Sequence, residues 1–301
     1  MRSIIPVSAA AGAAATIGYA ALIERNWFAL RQFEIPVLPP GTGPLRVLHI
    51  SDTHLTPARK RLINWVRSLD ELDPHLVVNT GDSIAHAEAV GPLMEALEPL
   101  LSRPGAFVLG SNDMFAPEPR NPLRYLWGPS SRWPRRKRKP DLPWEKLRDE
   151  MTAAGWLDLD NRQGRLTAGG IDIALAGVGD PHINKDRYEQ VAGQPSQAAG
   201  LRLGVMHSPE PRVMDRFVAD GYDLLLAGHT HGGQLCLPFY GTLVTNCGIE
   251  RERARGLHHH PADGQAWLHV SAGLGTSPTA PARFACRPEA SLLTLMPRDS
   301  R

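Results

Sequence analysis

Five short apolar runs in this chain end on residues that bind metals. The run "LRVLHIS" from Leu45 leads to Asp52 and His54, "HLVVNT" from His75 leads to Asp82, and "AFVLG" from Ala106 leads to Asn112 and Asp113. "LRLGVMH" from Leu201 ends on His207, and "YDLLLAG" from Tyr222 opens onto His229 and His231. Carboxylate oxygens combined with imidazoles suit Mn²⁺, Fe or Zn²⁺, and the lack of cysteine in the set argues against a closed structural zinc site. Taken singly, each residue has an ordinary explanation: an Asp after a strand caps a helix, a Gly-Asp pair makes a turn, a histidine is satisfied in the core. As caps, eight in this arrangement are hard to explain. In an extended chain residues two apart point the same way, so His229 and His231 can face one site, as can Asp52 and His54. Gly228, Gly232 and Gly233 would let the backbone crowd close to ions or phosphate.

The elements that must position these residues read as strands and helices in alternation. The apolar runs are rich in β-branched residues and short enough to be buried strands, and further ones follow at "IDIALAGVG" from Ile171, "AWLHVSAG" from Ala266 and "SLLTLM" from Ser291. Helix-like stretches at 59–69 and 85–101 separate the early strands, which predicts βαβ units and a parallel sheet. In such an α/β sheet ligands gather beyond the carboxyl ends of the strands, so these side chains are expected to converge. The Asp263-Gly264 pair predicts a hairpin turn, and His258 to His260 an exposed loop.

With 301 residues, 42% of them hydrophobic, the chain can bury a large core. Its net charge is +2, but "RWPRRKRK", residues 132–139, holds six of the 33 Lys and Arg, leaving 27 against 31 acidic residues, or −4, elsewhere. The cationic character is local, within an insertion at 116–143, and reads as a solvated loop or a clamp for anionic headgroups or polyphosphate. No recognition module accompanies it, so no specific nucleic acid partner is expected. The three cysteines give neither a disulfide framework nor a CxxC zinc motif. From Ile4 to Ile23 run 20 residues without a charge, eight of them alanine and two glycine. That length predicts a membrane anchor within an N-terminal segment 1–30, with a signal peptide or an Ala-rich helix of a cytoplasmic chain as the other readings. Residues 31–44, rich in proline, read as a connector.

The ordered series "DTH", "GD", "ND", "H", "GHTH" resembles the calcineurin-like metallophosphoesterases, whose pattern runs D-x-H, G-D, G-N-H-D/E, H, G-H-x-H. The likeness extends from Leu45 to about Met296, and "GHTHGGQ" with "SAGLGTSPTAPARFACRPE" is similar to a bacterial, often membrane-associated branch that includes homologues of UDP-diacylglucosamine pyrophosphohydrolases. The resemblance implies an α/β fold, a four-layer αββα sandwich over 45–301, and two divalent metal ions, Mn, Fe or Zn. It assigns Asp52, His54 and His231 to one ion, Asn112, His207 and His229 to the other, and Asp82 to both. A shared hydroxide would then attack a phosphodiester or pyrophosphate bond in a phosphorylated small molecule or lipid.

At "GSND" the chain departs from the pattern. Asn112 aligns with the ligand asparagine, and Asp113 stands where the family has its histidine. Two cations nearby would hold an aspartate ionised, so Asp113 is expected to orient a water or a neighbouring imidazole. Arg283 is the candidate contact to substrate phosphate. The missing histidine keeps open a metal-binding protein of this fold without turnover, and the basic insertion an adaptor for membranes or nucleic acid.

Overall fold

The computed structural model describes residues 4–119, 121, 128, 130, 138–261, 264 and 266–299. Residues 132–137 of the basic run and Asp263 of the expected turn lie outside them. Fourteen strands are named here in chain order. One six-stranded sheet contains β1 (Ala29–Leu38), β2 (Leu45–Ile50), β3 (Leu76–Asn79), β4 (Gly105–Phe107), β5 (Leu157–Asp158) and β14 (Glu289–Pro297), in the order β1-β14-β2-β3-β4-β5. The other contains β6 (Arg162–Ala168), β7 (Ile171–Gly177), β8 (Leu201–Val205), β9 (Leu224–Ala227), β12 (Gly256–His260) and β13 (Ala266–Val270), in the order β12-β13-β9-β8-β7-β6. A small ribbon, β10 (Cys236–Leu237) with β11 (Gly241–Thr242), stands apart. Strands β2 to β5 run parallel, as do β7, β8, β9 and β13.

The strands were legible as apolar runs because both faces of each sheet are covered. In β2, Leu48 and Ile50 face helices α2 (Lys60–Ser68), α3 (Val90–Leu97) and α5 (Trp144–Ala153), through Leu62, Leu93 and Leu147. Val47, one residue away, joins Val78, Ile173, Val205 and Leu226 in the layer between the sheets. Behind the second sheet, helix α6 (Pro211–Asp220) buries Val213, Met214 and Phe217 against Leu225 and Leu268. Helix, sheet, sheet and helix make the four layers that the resemblance implied.

Several expectations change. Residues 31–38 of the supposed connector belong to β1, which pairs in parallel with β14 from Ala29↔Glu289 to Pro36↔Met296. Pro36 is accommodated because β1 is an edge strand. His258, His259 and His260 lie in β12, and His260 Nε2 meets Asp215 Oδ1 at 2.8 Å. No helix among the described residues is long and apolar enough to cross a membrane. Helix α1 (Ile4–Gly18) stops after 15 residues and gives way to a wider π-helical turn at Tyr19–Ile23. Its alanines and glycines also contribute little transfer energy. The chain is then fastened by Glu24, which is buried and accepts the Cys286 N–H at 2.6 Å, and by Arg25, which donates to Thr276 Oγ1 at 3.0 Å.

Asp113 fastens the loops after β3 and β4. It lies on the single turn α4 (Ser111–Met114) and is fully buried. Its Oδ1 accepts the N–H groups of Ser83 and Ile84 at 2.7 and 3.1 Å, and its Oδ2 those of Asp82 and Gly110 at 2.9 and 2.8 Å. Where the sequence led us to expect a residue that orients a water or an imidazole, the described contacts of its carboxylate are to backbone, and it clamps the two loops together. Burial and then the Asp82 carboxylate push its pKa up to about 7, while the amides of Gly110, Ile84 and Ser83 pull it down. With two N–H groups aimed at each oxygen, no acceptor remains for a carboxyl proton, so the cage favours the anion. Asp113→Asn turns an NH₂ against two amide donors, and we expect it to cost on the order of 3 kcal/mol. Denaturant unfolding of the metal-free protein measures this, and a midpoint equal to that of the parent would contradict the clamp.

Candidate metal centre

Each candidate ligand follows the C-terminal end of a parallel strand: Asp52 and His54 after β2, Asp82 after β3, Asn112 after β4, His207 after β8, and His229 and His231 after β9. The first three strands belong to one sheet and the last two to the other, so the site sits on the seam between them. The backbone turns sharply there. Asp52, His54, Asp82, His229 and His231 all have positive φ, from 39° to 70°, a region that side chains with a Cβ rarely adopt. The paired residues therefore converge because their backbone is bent, and the extended geometry assumed from the sequence is absent. Such strain, about 1–3 kcal/mol per residue, persists where surrounding structure enforces it and clusters at functional sites.

Glycine enables the close approach. A Cβ on Gly228 would lie 1.9 Å from Ser51 Oγ and 2.4 Å from Asp52 Oδ2, and one on Gly110 would lie 2.2 Å from Asp82 Oδ1. Gly232 and Gly233 instead make room for Ala272 and Thr242. These two glycines let the loop pack closely against its neighbours.

The ligand atoms of Asp52, His54 and His231 lie within 4.8 Å of one another, as do those of Asp52, Asp82 and His207. His54 Nε2 is 3.1 Å from His231 Nε2 and 3.5 Å from Asp82 Oδ2, and His207 Nε2 is 3.4 Å from the same oxygen. His229 Nδ1 lies 3.3 Å from His207 Nε2. Asp52 Oδ1 is buried with no hydrogen-bond partner among the described residues, whereas its Oδ2 accepts from Ser51 Oγ at 2.5 Å and from the His229 N–H at 3.0 Å. A bare carboxylate oxygen buried among imidazole nitrogens is costly unless a cation completes it. These residues therefore fit divalent ions.

Partners outside the cluster fix two tautomers. His207 Nδ1 faces the Thr80 carbonyl at 2.7 Å, so a proton sits there and Nε2 is the nitrogen turned toward the cluster. His229 Nε2 faces the Asn246 carbonyl at 3.3 Å, which leaves Nδ1 bare. Burial pushes the His229 pKa down to about 3 and lowers those of His54 and His231, keeping these rings neutral and able to ligate. His207 is the exception: burial lowers its pKa, but the carboxylates of Asp82, Asp180 and Asp52 together outweigh this and raise it well above the usual imidazole value. Asp82 is held well below the usual carboxylate range, mainly by His207 acting against burial.

Asn112 donates its backbone N–H to Asp82 Oδ1 at 2.7 Å and its side-chain Nδ2 to Asp82 Oδ2 at 2.6 Å. It is thus within reach of the cluster, although ligation would need the amide turned to present its oxygen. Arg283, the candidate for substrate phosphate, is fully buried. Its guanidinium is spent on the carbonyls of Ala272, Gly273 and Gly275 at 2.7, 3.0 and 2.7 Å, and Nη2 lies 3.2 Å from His231 Nδ1. Arg283 supports the histidine loop and offers no free face to a substrate.

Sequence reasoning passed over three contributors. Ser51 and Thr80 form a buried relay, Thr80 Oγ1 to Ser51 Oγ at 2.7 Å and Ser51 Oγ to Asp52 Oδ2. His182 is buried with its ring centroid 4.2 Å from that of His229. The position of "GDPHI" directly after β7, at the same sheet end as the other ligand runs, was the signal that could have found it.

The sequence profile described as calcineurin-like phosphoesterase matches residues 45–233. The chain is 26% identical to the uncharacterized metallophosphoesterase YkuE of Bacillus subtilis, over 92% of this chain and 89% of that one. It is 25% identical to the phosphodiesterase YaeI of Escherichia coli, over 93% and 92%. Among solved structures it is similar to TT1561 of Thermus thermophilus, at 12% identity and a TM-score of 0.45, over 77% of this chain and 91% of that one. With the profile spanning the strands and loops that carry all seven candidate ligands, the chain belongs to the calcineurin-like phosphoesterase family.

Proposed function

We propose that the chain hydrolyses a phosphodiester or pyrophosphate bond in a phosphorylated small molecule, with two divalent metal ions as cofactors held by the residues at the seam. The observation that carries the reading is the buried, unpartnered Asp52 Oδ1 facing His231 Nε2 at 3.6 Å and His54 Nε2 at 4.0 Å. In this reading Asp52, His54 and His231 hold one ion, His207, His229 and Asn112 the other, and Asp82 both. Two such cations activate water and neutralise phosphoryl oxygens during in-line displacement. Around them, the Thr80 and Asn246 carbonyls orient imidazoles, Ser51 orients Asp52, and the Asp113 cage sets the loop that presents Asp82. Because both Asp113 oxygens are engaged by backbone amides, it is not placed to protonate a leaving group, and we expect activated ones, such as aryl phosphodiesters, to be preferred.

Lipid-linked substrates and membrane association through the N-terminal segment belong to the same proposal. Helix α1 supports it: residues 11–17 are all exposed, and no charge interrupts the run to Ile23. A chain lacking residues 1–18 keeps Glu24 and β1. We expect it to sediment with membranes less than the full chain and to hydrolyse a soluble aryl phosphodiester at the same rate. Equal sedimentation of the two would remove the segment from the reading.

Manganese is the ion we would load first, from the mixed carboxylate and imidazole donors. The loaded chain should contain two ions by elemental analysis, and chelation should abolish turnover. Asp82→Asn should lower both occupancies and cut turnover of the aryl ester at least about 100-fold. One ion in the parent chain, or a normal rate in this variant, would refute the shared role of Asp82.

A further inference from the structure

Every large apolar side chain that is exposed among the described residues lies in one of two segments, 17–27 and 235–243. Soluble surfaces scatter such residues singly, so their concentration calls for an occupant. The first segment is the end of α1 and the turn after it, with Leu22 and Ile23 outward. The second is the β10–β11 hairpin. Along β10 the chain alternates: Leu235 and Leu237 are exposed while Cys236 between them is buried. The hairpin tip carries Phe239, whose whole side chain is exposed at a left-handed φ of 66°, followed by exposed Tyr240.

The two segments are neighbours through one short stretch. Arg283 donates its backbone N–H to Ala20 O at 3.0 Å, and the Phe284 ring meets the Tyr19 ring edge-on with centroids 6.3 Å apart. On its other side Phe284 bridges Leu235, accepting the Cys236 N–H at 2.8 Å. The hairpin in turn begins four residues after His231 of the metal centre.

We propose that the β10–β11 hairpin is a second membrane-docking element, which with α1 sets the mouth of the metal centre against an anionic lipid bilayer. This rests on the reading of the N-terminal segment as membrane-associated. Two features favour a bilayer over a protein partner. A helix that docks in a protein groove has one apolar stripe and a charged face, whereas α1 carries no charge on any side. Each apolar segment is also flanked by an aromatic ring stacked under an arginine, the pairing suited to a lipid headgroup layer. The Arg287 guanidinium lies 4.1 Å from the centroid of Trp27, and that of Arg251 lies 5.6 Å from the centroid of Tyr240 while donating to its hydroxyl at 3.0 Å. A substrate reaching the centre from that side would carry its phosphate at the lipid surface.

The test is flotation of the full, metal-loaded chain with vesicles of phosphatidylglycerol and phosphatidylethanolamine. We expect Leu237→Ser/Phe239→Ser to lower the vesicle partition coefficient at least tenfold, while the rate on a soluble aryl phosphodiester stays within twofold. Should the double variant misfold, Phe239→Ser alone removes a ring that packs against nothing and should still lower partitioning about threefold. Parent and variant floating equally would overturn the hairpin contact and leave the N-terminal reading intact. A parent chain that does not float would remove both, with hydrolysis of the soluble ester untouched. If the variants float like the parent but shift from dimer to monomer in sedimentation velocity, the hairpin is covered by a second copy and the proposal is wrong.

Discussion

Two carboxylates buried at the seam of two sheets are the constraint on which the rest of this molecule depends. Asp52 and Asp82 are both almost fully buried. An ionised group taken out of water is tolerable only when charges or donors surround it. Here both sheets supply them. The solution is to bring the strand ends of both sheets together, so that the His229 amide and the imidazole of His231 from one reach Asp52 of the other. The tight approach explains Gly228, and the bent strand exits explain why five ligands have left-handed backbones.

Stabilising the bent loops demands its own buried polar groups. Asp113 gathers four amides of the loops after β3 and β4, and Arg283 gathers three carbonyls of the 272–275 segment. One supplies an anion where N–H groups converge, the other a cation where carbonyls converge. Asp113 acts on the centre through backbone, and Arg283 through backbone and the His231 ring. This is why both invite misreading from sequence: charged residues beside ligand motifs look catalytic, yet their charge is consumed by the fold.

What the sequence made legible follows from periodicity and type. Apolar runs such as 222–227 announce strands covered on both faces, and a histidine or aspartate just past each run announces the strand-end site. The less visible parts lack those signals. β1 contains Pro36 and alternates with exposed Arg31, Gln32 and Glu34, so it read as a connector until its partner β14, some 260 residues away, was known. Ser51 and Thr80 carry no charge, and only the cross-sheet distance shows them to be in line with Asp52. The conformation of His229 and His231 was likewise hidden, because a two-residue spacing is compatible with extended and with turned chain.

The apolar hairpin and the metal centre are one problem in placement. Cys236 Sγ of β10 donates to Gly232 O at 3.2 Å, and Thr242 Oγ1 of β11 donates to the same carbonyl at 2.9 Å. The loop that holds His231 is therefore stitched to the base of the hairpin from both strands. A force on the exposed tip is transmitted to backbone that carries a candidate ligand, with Arg283 bracing the other side of the same histidine. Apolar exposure usually weakens a soluble chain by inviting association. Here it sits on a surface element hydrogen-bonded directly to the ligand loop, where an occupant would both cover it and hold His231 in position.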